Sequence, residues 1–174
     1  MNRRSWLVAG AGAAAAAAGV GWQLRRERQH QEQAERGLAS LWPLRFPRPE
    51  GGELALADFR GRPLLINFWA PWCPPCVKEL PALNRFQKAF AAQGWQVVGL
   101  AIDEPPPVRA FLKKLPLDFP VGIAGFAGAD LSRRLGNADG ALPFTVILDA
   151  AGHVARRQLG ESQYEDLVRW AKAI

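Results

Sequence analysis

Cysteine and histidine are both scarce in this chain, which contains two of each among its 174 residues. The cysteines, Cys73 and Cys76, are separated by two residues, so the pair cannot join distant parts of the chain. A disulfide stabilises a fold mainly by closing a long loop, and a bond here would close a very short one. Three explanations for the pair are therefore open: a redox-active dithiol, half of a metal site, or chance.

A metal site would need at least one or two ligands beyond the cysteines, and the histidines are poorly placed to provide them. His30 lies in a polar segment near the N-terminus, and His153 directly follows Gly152, where a turn is expected. Neither has the spacing to the cysteines that zinc ligands show. We expect no metal and no cofactor, but keep a non-enzymatic module that delivers copper or zinc as an alternative. Stoichiometric metal in the purified protein would contradict the redox interpretation.

The chain also lacks any run of five or six like charges, although its formal net charge is +6. Proteins that bind nucleic acid usually concentrate lysine and arginine on one face or in one tail. Here both signs of charge are interspersed, so the excess is interpreted as a solvated basic surface. No nucleic-acid partner is expected. A hydrophobic content of 49% is sufficient for one domain with a real core.

The longest uncharged run stands near the N-terminus, where residues 6–24 carry no charge and have arginines on both sides. A helix of this length would be about 28 Å long, close to the hydrocarbon thickness of a bilayer. Residues 1–24 are therefore predicted to be a signal anchor or a signal peptide, with the alanines at 16–18 as a cleavage site in the second case. The anchor is favoured because the uncharged run continues to Leu24. Either form predicts a periplasmic or other extracytoplasmic location, and the anchor attaches the protein to the membrane.

The rest of the chain divides into a polar segment and a folded domain. Residues 25–40 are rich in glutamine, glutamate and arginine and are interpreted as a tether. Residues 41–174 are predicted to form an α/β domain. Two nearly continuous apolar runs, 64–69 and 95–102, indicate buried strands on either side of a helix at 74–93. A strand, a helix and a strand in this order predict a parallel crossover.

Shorter segments complete the predicted element order. They are an edge hairpin at 44–46 and 53–57, a helix at 105–115, an irregular stretch or brief strand at 117–123, one or two helical turns at 129–135, a second hairpin at 145–148 and 154–159, and a final helix at 164–173 with Ser162 as its N-cap and Glu165 completing a capping box. The apolar residues of the helix at 74–93 recur at helical spacing: Leu80, Leu83, Phe86 and Phe90.

Cys73 is expected where a buried strand ends and a helix begins. The first turn of a helix presents unpaired backbone N–H groups and the positive end of the helix dipole, and both stabilise a thiolate. Pro74 fits this first turn because its missing N–H would have no partner there. Cys76 lies one turn further, on the same face, and should be less exposed than Cys73.

This placement predicts the chemistry of thiol-disulfide exchange. Cys73 attacks a disulfide of a partner protein and forms a mixed disulfide. Cys76 then attacks Cys73, which releases the reduced partner and leaves the pair oxidised. The same steps in reverse oxidise a partner.

Three separated segments carry a resemblance to a known family. Residues 67–81 read NFWAPWCPPCVKELP, residues 58–63 read DFRGRP, and residues 140–145 read GALPFT. In order and spacing they resemble the thioredoxin superfamily, and more narrowly its TlpA/ResA-like branch, which includes the CcmG-type reductases of cytochrome c maturation. The resemblance covers about residues 44–174. It implies a thioredoxin-like α/β fold, in which a central mixed β-sheet is flanked by helices, here preceded by an N-terminal hydrophobic helix.

The resemblance also implies catalytic roles. Pro143 would be in the cis form beside the cysteines, and its neighbouring backbone would pair with an incoming peptide. Glu79 stands three residues after Cys76 on one helix face and would take the proton from Cys76. The alternative for Glu79 is a surface acid favoured by the helix dipole. Asn67 occupies the position where cytosolic thioredoxins have a buried aspartate, which makes Glu79 the better proton acceptor.

Four further residues of the motifs are assigned to substrate binding: Trp72, Pro74, Pro75 and Leu142. Trp72 is expected to shield the dithiol and contact partners, with an ordinary half-buried aromatic as the alternative. Pro74, Pro75 and Leu142 lie at positions that tune the reduction potential in this superfamily.

The predicted function is that of a thiol-disulfide oxidoreductase which reduces disulfides of extracytoplasmic partner proteins, with cytochrome c maturation as one setting. A thiol oxidase that runs the same exchange in reverse is an alternative. A dithiol outside the cytoplasm needs a source of electrons, so the resemblance implies an upstream membrane thiol reductase as a second partner.

Overall fold

The computed structural model describes residues 40–174 together with Trp22 and Arg25, both of which are helical. The predicted anchor or signal at residues 1–24 and the tether at residues 25–40 lie almost entirely outside the described residues. Within the part of the chain that is described, no helix has the length and apolarity needed to cross a membrane. The assignments for the N-terminal segments stay predictions.

The centre of the domain is a five-stranded mixed sheet. The strands of the described residues are β1 Arg45–Pro47, β2 Glu53–Ala55, β3 Leu64–Trp69, β4 Gln96–Ala101, β5 Val121–Ile123, β6 Phe144–Leu148 and β7 Val154–Leu159. Their order in the central sheet is β5-β4-β3-β6-β7. β3, β4 and β5 run parallel, which confirms the predicted crossover, whereas β6 is antiparallel to β3 and β7 is antiparallel to β6.

Helices cover both faces of this sheet. They are α1 Pro74–Phe90, α2 Pro105–Lys114, α3 Gly125–Arg134 and α4 Tyr164–Ala171. Apolar residues of α1, α2 and α4 share one core with the cysteines, and those of α3 belong to a second core on the other face. The predicted arrangement of a central mixed sheet flanked by helices is therefore confirmed.

β3 is buried along its whole length, as its continuous apolar run predicted. Leu65 and Trp69 belong to the core on the α1 side of the sheet, and Ile66 and Phe68 belong to the core on the α3 side. Because side chains alternate along a strand, Asn67 faces the α1 side. This parity brings a polar side chain of β3 toward the helix that carries the dithiol.

The helix predicted at residues 74–93 is confirmed as α1, with a different end. The four apolar residues of its predicted stripe are all buried. The α-helix stops at Phe90, a 3-10 turn at Ala91–Gln93 follows, and Gly94 with φ +89° ends it. Glycine adopts this left-handed conformation without the steric cost that other residues meet.

Three predicted details are wrong. The first hairpin is not an edge of the central sheet, because β1 and β2 pair in a two-stranded sheet of their own. The helix at residues 129–135 is longer than predicted, since α3 spans 10 residues. α4 is not capped by Ser162 with Glu165: its N-cap is Gln163, whose N–H donates to the Asp166 carboxylate at 3.3 Å.

Candidate active site

The two cysteines lie at the amino end of α1, as predicted. Cys73 is the N-cap of the helix, and its sulfur is bonded to that of Cys76 in the oxidised state that the structure represents. The backbone N–H of Cys76 donates to the Cys73 sulfur at 3.3 Å. This N–H belongs to the first turn of the helix, so it would stabilise a thiolate on Cys73 after reduction.

The dithiol is buried but is surrounded by exposed side chains. Cys73 is 4% exposed and Cys76 is 0% exposed, which agrees in direction with the prediction that Cys76 is the less accessible sulfur. Trp72 is 65% exposed, and Pro74 and Pro75 are exposed beside it. A partner protein can therefore contact this rim and reach the Cys73 sulfur.

Glu79, three residues after Cys76 on α1, is buried at 1% exposure, so the alternative of a surface acid is wrong. Its Oε1 accepts a hydrogen bond from the Asn67 side-chain amide at 2.6 Å, and its Oε2 accepts one from the Ser162 N–H at 2.8 Å. Burial raises the pKa of Glu79 to about 7, the nearby Glu161 carboxylate acts in the same direction, and the hydrogen bonds oppose them. The carboxyl can therefore gain or lose a proton near neutral pH.

Asn67 reaches Glu79 because of strand register. Asn67 of β3 pairs in register with Thr145 of β6, and both side chains lie on the α1 side of the sheet. The Asn67 amide donates to Glu79 and also to the Thr145 hydroxyl, the latter at 3.1 Å. The Asn67 side chain thus connects β3 and β6 to the Glu79 carboxyl on α1.

Pro143 follows a cis peptide bond from Leu142, as the resemblance implied. Phe144, the next residue, pairs with Phe68 near the carboxyl end of β3, so Pro143 lies at the same edge of the sheet as the dithiol. Leu142 is partly buried and packs against the core that contains both cysteines. The structure thus places the dithiol and Pro143 at the same end of the β3–β6 pair, and Glu79 deeper in the domain, against Asn67.

Three residues near the site were not assigned to it from the sequence. Thr145 was placed only in a strand, Ser162 was predicted to be a helix cap, and Glu161 was not singled out. Ser162 binds Glu79 through its backbone N–H, which every residue except proline carries, so no side-chain pattern could identify it. Its buried hydroxyl makes no hydrogen bond of normal geometry within the described residues, yet it lies close enough to Glu79 to favour the carboxylate.

The arrangement is suited to dithiol chemistry. The Cys73 sulfur stands at a helix amino end and is bonded to the Cys76 sulfur, and a buried carboxyl with a pKa near neutrality lies three residues further along the same helix. Among residues 40–174, Trp22 and Arg25, no group of three or more histidine, cysteine, aspartate or glutamate side chains is placed to hold a metal ion.

Known proteins are similar to this chain in sequence and in fold. Residues 43–171 match the Redoxin family. The thiol-disulfide oxidoreductase ResA of Bacillus cereus is 33% identical over 126 residues, which cover 72% of this chain and 70% of that protein. ResA of Bacillus subtilis is 30% identical over 128 residues, which cover 70% of this chain and 68% of that protein.

Solved structures give the same fold. A thiol:disulfide interchange protein of the thioredoxin family from Chlorobium tepidum has a TM-score of 0.65 and 29% identity, covering 75% of this chain and 91% of that one. StoA from Bacillus subtilis, at 24% identity, has a TM-score of 0.59 and covers 75% of this chain and 98% of that one. The second likeness concerns the fold alone.

Proposed function

Since the chain belongs to the Redoxin family and is a ResA-like thiol-disulfide oxidoreductase with a thioredoxin-like fold, we propose that it reduces disulfides of extracytoplasmic partner proteins through Cys73 and Cys76. The observation that carries this proposal is the buried Glu79 carboxyl on the same helix, α1, that begins with the dithiol. A reductase must remove a proton from its second thiol in every cycle, and Glu79 is a group that can accept it near neutral pH.

The proposed reaction transfers two electrons from the dithiol to the partner. The Cys73 thiolate attacks one sulfur of the partner's disulfide, the sulfur–sulfur bond of the partner breaks, and a mixed disulfide forms. Glu79 then takes the proton of Cys76, and the Cys76 thiolate attacks the Cys73 sulfur. The partner leaves with both sulfurs reduced after taking up two protons, one that Glu79 received from Cys76 and one from solvent, which replaces the proton that Cys73 released on ionising. The Cys73 and Cys76 sulfurs end in a disulfide.

The location and the second partner follow from the N-terminal prediction. An anchor at residues 1–24 and a tether at residues 25–40 would hold the domain at the outer face of the cytoplasmic membrane. An upstream membrane thiol reductase would then return Cys73 and Cys76 to the dithiol form. Cytochrome c maturation is the setting that the TlpA/ResA-like resemblance supports, with an apocytochrome disulfide as the substrate.

The reduction potential of the Cys73–Cys76 couple tests the direction of this reaction. We expect a value near that of thioredoxin, about −270 mV, when a protein beginning near residue 37 is equilibrated with glutathione or dithiothreitol and the thiols are counted. A dithiol with this potential can donate electrons to strained or exposed disulfides of partner proteins, because their potentials are higher than its own. A value near about −120 mV would instead identify an oxidant of partner thiols and would contradict the reductase assignment.

Trp72 is expected to bind partner proteins without taking part in the chemistry. Its exposed ring stands beside a buried sulfur, so a polypeptide that brings a disulfide to Cys73 must contact it. Trp72→Ala should raise KM about three- to tenfold for reduction of a polypeptide disulfide such as insulin. The rate with a small disulfide should be unchanged. Phe126→Ala, at another exposed aromatic on α3, is the control, and an equal effect of both variants would contradict a specific role for Trp72.

A further inference from the structure

Residues 160–163, between β7 and α4, bond through their backbone to two of the proposed site residues; we name them the clamp loop. The N–H of Gly160 donates to the carbonyl oxygen of Pro143 at 2.9 Å. Two residues on, the N–H of Ser162 donates to Oε2 of Glu79 at 2.8 Å. One short segment therefore holds both the residue expected to receive the substrate peptide and the residue expected to accept the proton.

A third contact joins the clamp loop to α1. The carboxylate of Glu161 accepts a hydrogen bond from the ammonium of Lys78 at 3.0 Å. The loop's residues 161 and 162 thus meet residues 78 and 79 of the helix in two adjacent contacts, one exposed and one buried. The exposed ion pair contributes little stability by itself, but it sets the distance of a negative charge from the buried carboxyl.

The shape of the clamp loop is fixed at both ends. Gly160 has φ +86°, a left-handed conformation that residues with a Cβ rarely adopt, and a Cβ added there would meet nothing within 4 Å. At the other end, the N–H of Gln163 donates to Asp166 at the start of α4. Between these points Ser162 is buried, so its N–H is held toward Glu79 rather than solvated.

We propose that the clamp loop is a positioning element that couples the protonation of Glu79 to the placement of Pro143. The proposal rests on the assigned thiol-disulfide exchange and adds residues that act on it through the backbone. An N–H that points at a carboxyl oxygen favours the carboxylate over the acid, so the Ser162 amide keeps Glu79 ready to accept the Cys76 proton. The Gly160 amide holds the cis-proline segment against the same loop, and a displacement of the loop alters both groups together.

Other charged groups around Glu79 act in known directions. From the clamp loop the Glu161 carboxylate raises the pKa of Glu79. From α1, Lys78 pairs with Glu161 and neutralises part of that charge. β3 and β6 contribute the neutral amide and hydroxyl described above, and the α4 acid nearest the loop, Asp166, bonds to Arg169.

Gly160→Ala and Gly94→Ala form a matched pair that tests the proposal. Gly94 has φ +89°, a Cβ there would also meet nothing within 4 Å, and it precedes β4 at the sheet edge opposite the dithiol. Both variants therefore introduce the same backbone strain into open space, and similar losses of thermal stability are expected. The two variants differ because the N–H of residue 160 donates to Pro143 of the site, whereas that of residue 94 donates to Ala91.

The titration of Glu79 is the readout that a purely structural role of the loop would not move. The midpoint of the Glu79 titration is measured by NMR in oxidised protein labelled with ¹³C at the glutamate carboxyl carbons. We expect Gly160→Ala to raise this midpoint by about one pH unit. Gly94→Ala should leave the midpoint unchanged. We also expect KM for a polypeptide disulfide to rise severalfold in Gly160→Ala alone, because the strand beside Pro143 loses its fixed position. An unchanged midpoint in folded Gly160→Ala would overturn the proposal.

Glu161→Gln provides a second measurement should Gly160→Ala fail to fold. Removal of the negative charge from the clamp loop should lower the midpoint of the Glu79 titration, opposite to the effect of Gly160→Ala. The absence of any shift would contradict the proposal that the clamp loop controls the protonation of Glu79. A separate measurement, disulfide exchange by the wild-type protein, tests the proposed function itself. If the wild-type protein did not exchange disulfides at all, the exchange assignment would fall, whereas the titration would still report whether the loop controls Glu79.

Discussion

Cys76→Ser is expected to stop turnover after the first attack and to leave the partner bound to Cys73 as a mixed disulfide, whereas Cys73→Ser should capture nothing. The reason is the order of the steps. Cys73 is the N-cap of α1 and receives the N–H of residue 76, so its thiolate is the stabilised nucleophile. Cys76 is needed only to resolve the mixed disulfide. Steady-state disulfide reduction should fall on the order of 10⁴-fold or more in either variant.

The two variants separate on a non-reducing gel. Each is fully reduced, mixed with an oxidised protein substrate, and quenched with acid before alkylation. A band of the summed mass should appear for Cys76→Ser, disappear on addition of dithiothreitol, and be absent for Cys73→Ser. Serine preserves the size of the side chain, so the comparison changes only the reactive atom. Equal trapping by both variants, or trapping by Cys73→Ser alone, would show that the nucleophile has been assigned wrongly.

The sequence was sufficient to predict the chemistry at the dithiol because the signals there are local. An apolar run, two cysteines and early prolines all lie within residues 64–76, and together they predict a buried strand, the start of a helix and the position of the thiolate. The cis bond before Pro143 and the choice of Glu79 as the proposed proton acceptor came from the family resemblance, which identifies positions that no single segment reveals.

The surroundings of Glu79 could not be predicted because they depend on long-range register and on backbone groups. Asn67 meets Thr145 across 78 positions of sequence, and the Ser162 amide meets Glu79 across 83. A capping pattern even placed Ser162 in a different role, one residue before the true N-cap of α4. A local pattern identifies a helix cap by its side chain. The contact that Ser162 makes with Glu79 of α1 instead uses its buried backbone N–H.

The same network means that the site is maintained at a cost to stability. Two protein donors bind the Glu79 carboxyl, yet burial outweighs them and keeps its pKa near neutrality. A fully compensated carboxylate would be more stable but would hold protons too weakly to take one from a thiol. Partial compensation is therefore consistent with a proton acceptor, and it leads to an expectation about folding.

Glu79→Gln is expected to make the protein more stable at alkaline pH and slower at disulfide reduction. In the folded protein the pKa of Glu79 is raised from 4.5 to about 7, so the folded state holds a proton that the unfolded chain releases. This contribution to stability is fully present below pH 4.5 and is lost as the pH rises through about 7. The loss amounts to roughly 3 kcal/mol, at about 1.4 kcal/mol for each pH unit. Glutamine carries no charge, so it avoids that loss.

Urea denaturation of the oxidised wild-type and Glu79→Gln proteins at pH 4.5 and pH 8.5 measures this effect. Between pH 4.5 and pH 8.5, the unfolding free energy of the variant minus that of the wild type should rise by roughly 3 kcal/mol. The other titrating groups are the same in both proteins, so their contributions cancel in this difference. Glu165→Gln, at an exposed glutamate of α4, is the control and should show no such shift.

Reduction of a protein disulfide by Glu79→Gln should slow about 100-fold or more, because Cys76 loses its proton acceptor. A variant as fast as wild type would remove Glu79 from the mechanism, and a variant equally sensitive to pH in its stability would show that the buried carboxyl is not the group that titrates.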